Sequence, residues 1–199
     1  MKAGVAFSLE AALFGTSNAA ILSRVRRPVI DTMSTRGFIK PSQRDRATAR
    51  PLFSFRDVFK VRTMVMLSPL GMGLKDSSLM SDVFKNWTSR KSEAAMDTMA
   101  DLADVADTLA TKGEWMWAMA RSIERARPFY IYAYAARTNK KWQFDMHIEN
   151  SGVENPNDPP CFGGKVPHIY VPVSEIFIAV YDDCKAMLGL TPGEDARHA

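Results

Sequence analysis

The stretch Val25–Pro41, VRRPVIDTMSTRGFIKP, decides how the first part of the chain folds. Pro28 suits the first turn of a helix, where its missing N–H has no intrahelical partner. Val29, Ile30 and Met33 follow at helical spacing and can face inward. Gly37 ends the helix as a left-handed C-cap. Phe38 and Ile39 return to the core, and Pro41 forbids continuation. Upstream, Ala19, Ala20, Ile21 and Leu22 open another short apolar helix, and Ser23-Arg24 make a tight connection. Two short helices joined by a tight turn are the helix-turn-helix pattern. Arg24, Arg26 and Arg27 gather where the second helix begins.

Downstream, SQRDRATAR (Ser42–Arg50) is polar and basic without an apolar anchor, and PLFSF brings Leu52, Phe53 and Phe55 back inside. A polar loop between two apolar returns reads as a small β-hairpin, a wing. Ser54 has the chemistry of an N-cap for a helix through about Leu67, with Val58, Val61, Met64 and Val65 inward and Pro69 and Gly71 as breakers. GLKDSSLMSDVFKNW supplies a further helix expected to bury Leu79, Met80, Val83 and Phe84.

Charge points the same way. The 199-residue chain has a formal net charge of +4, yet Ser17–Leu67 holds 11 Lys and Arg against only Asp31, Asp45 and Asp57. Such a polarised field usually meets a polyanion; the alternative is a solvated basic face. No run of about 18 uncharged apolar residues occurs, so no membrane span is expected. Glu10 breaks the apolar N-terminal stretch, which therefore reads as an amphipathic or frayed end rather than a signal peptide. Cys161 and Cys184 are the only cysteines and sit at no metal spacing, which favours a reducing cytoplasm.

Taken in order, this segment resembles the winged helix-turn-helix of the MerR superfamily. The matching residues are Gly37, Phe38, Ile39, Lys40 and Pro41, then Phe53, Ser54 and Asp57, then Gly73, within Asn18–Phe84, about a third of the chain. Three positions depart from the family pattern. Asp31 stands where an arginine is frequent, Pro51 where a wing arginine is frequent, and Arg24 where the turn usually has glycine. The resemblance implies double-stranded DNA as partner. It sets Arg26, Arg27, Asp31, Thr32 and Thr35 on or near the groove face, with Arg24 beside them, and Arg44, Arg46 and Arg50 on the wing against the flanking backbone or minor groove.

After Phe84 the composition changes. NWTSRKSE reads as a hinge. In AAMDTMADLADVADTLATKG, Ala95, Met99, Leu102, Ala106 and Leu109 form a heptad seam, with Asp97, Asp101, Asp104 and Asp107 outside. This is either a dimerisation helix, as the resemblance implies, or an ordinary packed helix. Further on, a helix over EWMWAMARSIERAR precedes two alternating strands around Phe129–Tyr134 and Trp142–Glu149, joined by RTNKK. A long loop leads to a third strand at Ile169, Val171 and Val173. A last helix follows, capped by Ser174, with Ile176, Phe177, Val180, Cys184 and Leu188 inward and Gly189 as its stop. The aromatic-dense set Trp115, Trp117, Tyr130, Tyr132, Tyr134 and Trp142 reads as core more readily than as a pocket. His147, Cys161 and His168 have no metal-ligand spacing. No phosphate loop or nucleophile elbow occurs, so neither cofactor, metal nor catalysis is expected.

The expectation is an α+β protein: a winged helix-turn-helix over 17–88, a linker or dimerisation helix over 92–112, and an α+β unit with a three-stranded antiparallel sheet over 113–190. Its function is that of a dimeric, sequence-specific transcription regulator. An unidentified small-molecule or protein effector is left open. The alternatives are an architectural, excision or phage DNA-packaging factor with the same domain, and a protein-interaction module whose basic patch meets an acidic partner.

Overall fold

The computed structural model of the chain describes residues 9, 11, 13–86, 115–124, 130–138, 141–149 and 168–190. The expected helix over 92–112, the loop before the third strand and Cys161 lie outside these residues. The protein is mixed helix and sheet, with two small antiparallel three-stranded sheets. It divides into two compact units, one made of the chain to Val65 together with the segment from Phe177, the other of Met66–Ile176.

The first unit opens with β1 (Phe14–Gly15), α1 (Thr16–Leu22) and α2 (Arg27–Thr35). β1 is a strand the sequence did not announce. It pairs with β3 (Pro51–Phe53), and β3 pairs on its other side with β2 (Gln43–Arg44). The register sets Phe14 against Phe53, and Leu52 against both Gly15 and Gln43. α1 turns Ala19, Ala20 and Leu22 inward but leaves Ile21 65% exposed. The turn after α1 is pinned by buried Ser23, whose hydroxyl donates to the Val58 carbonyl at 3.5 Å.

α2 buries Ile30 and Met33. Its end is a Schellman motif: Phe38 N–H donates to the Met33 carbonyl at 2.9 Å and Gly37 N–H to that of Ser34 at 3.0 Å. Gly37 has φ +75°, a conformation glycine adopts without a Cβ penalty. α3 (Phe55–Leu67) begins as expected after Ser54. The Asp57 carboxylate accepts from Ser54 N–H at 2.9 Å and from the Ser54 and Ser42 hydroxyls, while Ser54 Oγ accepts Asp57 N–H at 3.3 Å. This reciprocal pairing is a capping box with aspartate in place of glutamate.

The helix α6 (Val173–Met187) completes this unit from Phe177 onward. Read from sequence with the C-terminal region, it brings Phe177, Val180, Tyr181 and Cys184 into burial. Phe177 lies against Phe55 and Phe59, and Tyr181 against Phe55. Burial raises the Cys184 thiol to about 12, with the Asp183 charge adding to the effect. Gly189 ends the helix at φ +67°.

The second unit contains a 3₁₀ turn (Ser68–Leu70), α4 (Leu74–Asn86), α5 (Trp115–Glu124), β4 (Tyr130–Thr138), β5 (Lys141–Glu149) and β6 (His168–Val171). β4 is central, with β5 and β6 antiparallel on either side. Ile131 to Ala136 are all buried, so the tyrosine face of β4 is covered as well as the aliphatic one. Tyr132 and Tyr134 pack together beneath the exposed ring of Tyr170, and Trp115 donates its indole N–H to the Phe84 carbonyl, so buried Tyr132, Tyr134 and Trp115 are core. Three expectations shift. Leu79 is 53% exposed. Val173 starts α6 because Pro172 has ended the strand, and Ser174 lies inside that helix and accepts the Ile131 N–H. Among the described residues no helix is long and apolar enough to cross a membrane.

Candidate nucleic-acid interface

α2 presents its charge at its start. Arg26 is the N-cap, extended at φ −76° and ψ 145°, and its carbonyl accepts Val29 N–H at 2.9 Å. Arg27 is the first helical residue, and no acidic side chain occupies the first turn. No side chain caps this helix end, and the positive end of the helix dipole adds to the field of both guanidiniums. One turn on, Asp31 Oδ2 lies 3.8 Å from Arg27 Nε. Thr32 donates its hydroxyl to the Pro28 carbonyl at 2.7 Å, and Thr35 to the Asp31 carbonyl at 2.9 Å. With their hydrogens so committed, both hydroxyls turn acceptor lone pairs outward.

The hairpin β2–β3 carries the second group. Its tip is organised by Asp45, whose Oδ1 accepts from Thr48 N–H at 2.7 Å, the Thr48 hydroxyl at 2.8 Å and Ala47 N–H at 3.0 Å. These bonds, those from Thr48 foremost, hold the Asp45 carboxyl below its ordinary range. Asp45 N–H donates to the Arg50 carbonyl at 2.8 Å and closes the loop, in which Ala49 takes φ +55°. Arg44 Nη1 donates to the Ala49 carbonyl at 3.1 Å, leaving the guanidinium on the hairpin surface.

All nine residues singled out from sequence (Arg24, Arg26, Arg27, Asp31, Thr32, Thr35, Arg44, Arg46 and Arg50) are exposed. They do not form one continuous set. Arg27 from α2 and Arg50 from the hairpin line a single cleft of about 340 Å³, together with Gly15, Thr16, Ser17, Asn18 and Pro51. Arg24 lines a different cleft and pairs with Asp183 at 3.7 Å. It holds φ +55° in the turn between the helices. Sequence reasoning missed Thr16, Ser17 and Asn18 as cleft residues; the polar triplet opening an otherwise apolar helix is the signal that could have found them. It also left out Arg36 and Lys40, both exposed at the exit of α2.

The arrangement offers guanidiniums, hydroxyls and one amide on a concave surface, a donor set suited to phosphate oxygens. Among the described residues no group of three or more His, Cys, Asp or Glu could hold a metal ion. The chain matches no protein-family model and no curated protein.

Proposed function

We propose that the protein is a cytoplasmic, dimeric, sequence-specific DNA-binding transcription regulator of MerR-like type, its first unit acting as a winged helix-turn-helix. The observation that carries this reading is the cleft shared by Arg27 and Arg50, guanidiniums from two different elements on one concave polar surface. In this reading α2 enters the major groove by its N-terminal end. Arg26 and Arg27 reach guanine edges or phosphate, and the acceptor hydroxyls of Thr32 and Thr35 face base amino groups. Arg44, Arg46 and Arg50 hold the flanking backbone. The unusual Asp31 orients Arg27 and accepts from cytosine where the groove offers it.

The test is recovery and sequencing of fragments bound from the source's own DNA, followed by affinity measurements on one bound duplex across salt concentrations. The expected outcome is one palindromic site, with weaker binding and a salt slope reduced by about 1 for each phosphate contact removed in Arg26→Ala, Arg27→Ala and Arg50→Ala. Clustered degenerate sites with bent DNA would assign the architectural role instead. Unchanged affinity in the Arg27→Ala/Arg50→Ala double variant overturns the interface.

A further inference from the structure

Arg26 and Arg27 are neighbours in sequence, and the fold separates their surroundings. Arg27 lines the cleft of about 340 Å³ together with Arg50, and Arg26 does not. At that volume the cleft lies at the small end of ligand sites, about 300–1,000 Å³, and admits one small group at a time. Among the described residues no carboxylate lines it. The cleft of about 390 Å³ differs in this respect, since Asp183 lines it beside Arg24 and pairs with that guanidinium at 3.7 Å. Two carboxylates do stand near the arginines of the smaller cleft. Asp31 approaches Arg27 only to 3.8 Å, at Nε, too far for a hydrogen bond. Asp45, whose charge interacts with that of Arg50, commits Oδ1 to three donors of the hairpin tip.

The backbones of both arginines are held while their side chains stay exposed. Arg27 is fixed in the first turn of α2. The Arg50 carbonyl accepts Asp45 N–H at 2.8 Å, and Pro51 narrows the backbone choices of the residue before it. Two guanidiniums anchored on different elements and lining one small concavity match a group that presents two anionic oxygens on a single centre. We propose that Arg27 and Arg50 clamp one phosphoryl group in this cleft, so that Arg27 contributes affinity and orientation while base reading falls to Arg26. This inference rests on the DNA-binding reading and deepens it, because that reading leaves both arginines to guanine edges or phosphate alike. In a duplex the clamped group is one backbone phosphodiester, which sets the register in which Arg26 meets the bases. A free phosphomonoester offers the same chemistry.

The test uses the full chain and a duplex recovered from the source's own DNA, with each backbone linkage in turn replaced by a neutral methylphosphonate. One linkage, repeated by symmetry in a palindromic site, should weaken binding of the parent chain by about tenfold and have no further effect on the Arg27→Ala/Arg50→Ala double variant. The salt slope of that variant should fall by about 1 and not by about 2, because both cations serve one phosphate. Arg27→Ala should weaken the recovered duplex and a shuffled one by the same factor, whereas Arg26→Ala should narrow the difference between them. Both positions are exposed, so melting curves should not move. A separate linkage for each arginine, or altered sequence discrimination in Arg27→Ala, overturns the clamp and leaves DNA binding standing. A parent chain that binds no duplex overturns the proposed function and the assignment of Arg26. Inorganic phosphate, titrated against chloride at equal ionic strength, then decides the cleft. Shifts of the Arg27 and Arg50 Nε–H signals with phosphate alone would keep the clamp with a free phosphomonoester as its ligand, and no shift overturns it as well.

Discussion

The ring of Phe177 meets that of Phe55 edge to face, with centroids 4.9 Å apart and planes at 64°. Phe59 lies 6.0 Å from the same ring and Tyr181 stacks on it at 5.8 Å and 15°. The unit that carries the candidate interface therefore takes part of its core from the far end of the chain. Phe177→Ala should cost about 3–5 kcal/mol, because the lost ring leaves a cavity among aromatics that cannot close over it. Urea unfolding of the full chain measures this, and a loss under about 1 kcal/mol would contradict the packing.

Asp57 gathers three donors at the mouth of α3, the hydroxyls of Ser42 and Ser54 and the N–H of Ser54. Asp57→Ala leaves buried Ser54 without its acceptor and removes the cap, a loss of about 1–3 kcal/mol. Since Ser42 precedes the hairpin, faster amide exchange through residues 42–44 should accompany the loss. Chemical denaturation and hydrogen exchange read the two effects separately.

Two positive-φ positions should both favour glycine over alanine. At Gly37, φ +75°, alanine should destabilise by about 1 kcal/mol. At Arg24, φ +55°, glycine should be more stable than alanine by about 1 kcal/mol, since both lose the pair with Asp183 and only glycine relieves the backbone. Thermal melts of the three variants decide it, and an alanine at 24 as stable as glycine would refute the strain.

The Asp45 carboxylate favours its charged form in the folded hairpin, so its contribution is full above the ordinary aspartate value of 3.8 and is lost as pH falls through the lower folded value. NMR titration of the carboxyl should give a midpoint below 3.8, with the Ala47 and Thr48 amide signals shifting in the same step. A midpoint at or above the ordinary value would mean that the tip does not hold those bonds.

Local chemistry made much of the first unit readable. Pro28 and Gly37 bracket α2, Ser54 and Asp57 mark the start of α3, and the polar run from Ser42 to Arg50 forms the hairpin. Alternation around Trp142 placed β5, although the same reading of β4 missed that both its faces are covered. β1 escaped because two residues have no periodicity; Phe14 and Gly15 become a strand only through Phe53 and Leu52. The exposure of Ile21 and Leu79 was illegible for a related reason, since a helix stripe says which residues can be buried and not which neighbours arrive to bury them. The cleft joining Arg27 to Arg50, and the one joining Arg24 to Asp183, depend on chain reversals that no linear spacing encodes.

Cys184 has a use that follows from its surroundings. A sulfur shut beneath the aromatic helices and raised to about 12 stays protonated at neutral pH and out of reach of alkylating reagents. Its rate of modification therefore clocks how often this core breathes, and does so from inside the fold, with no label placed on the arginine-bearing surface.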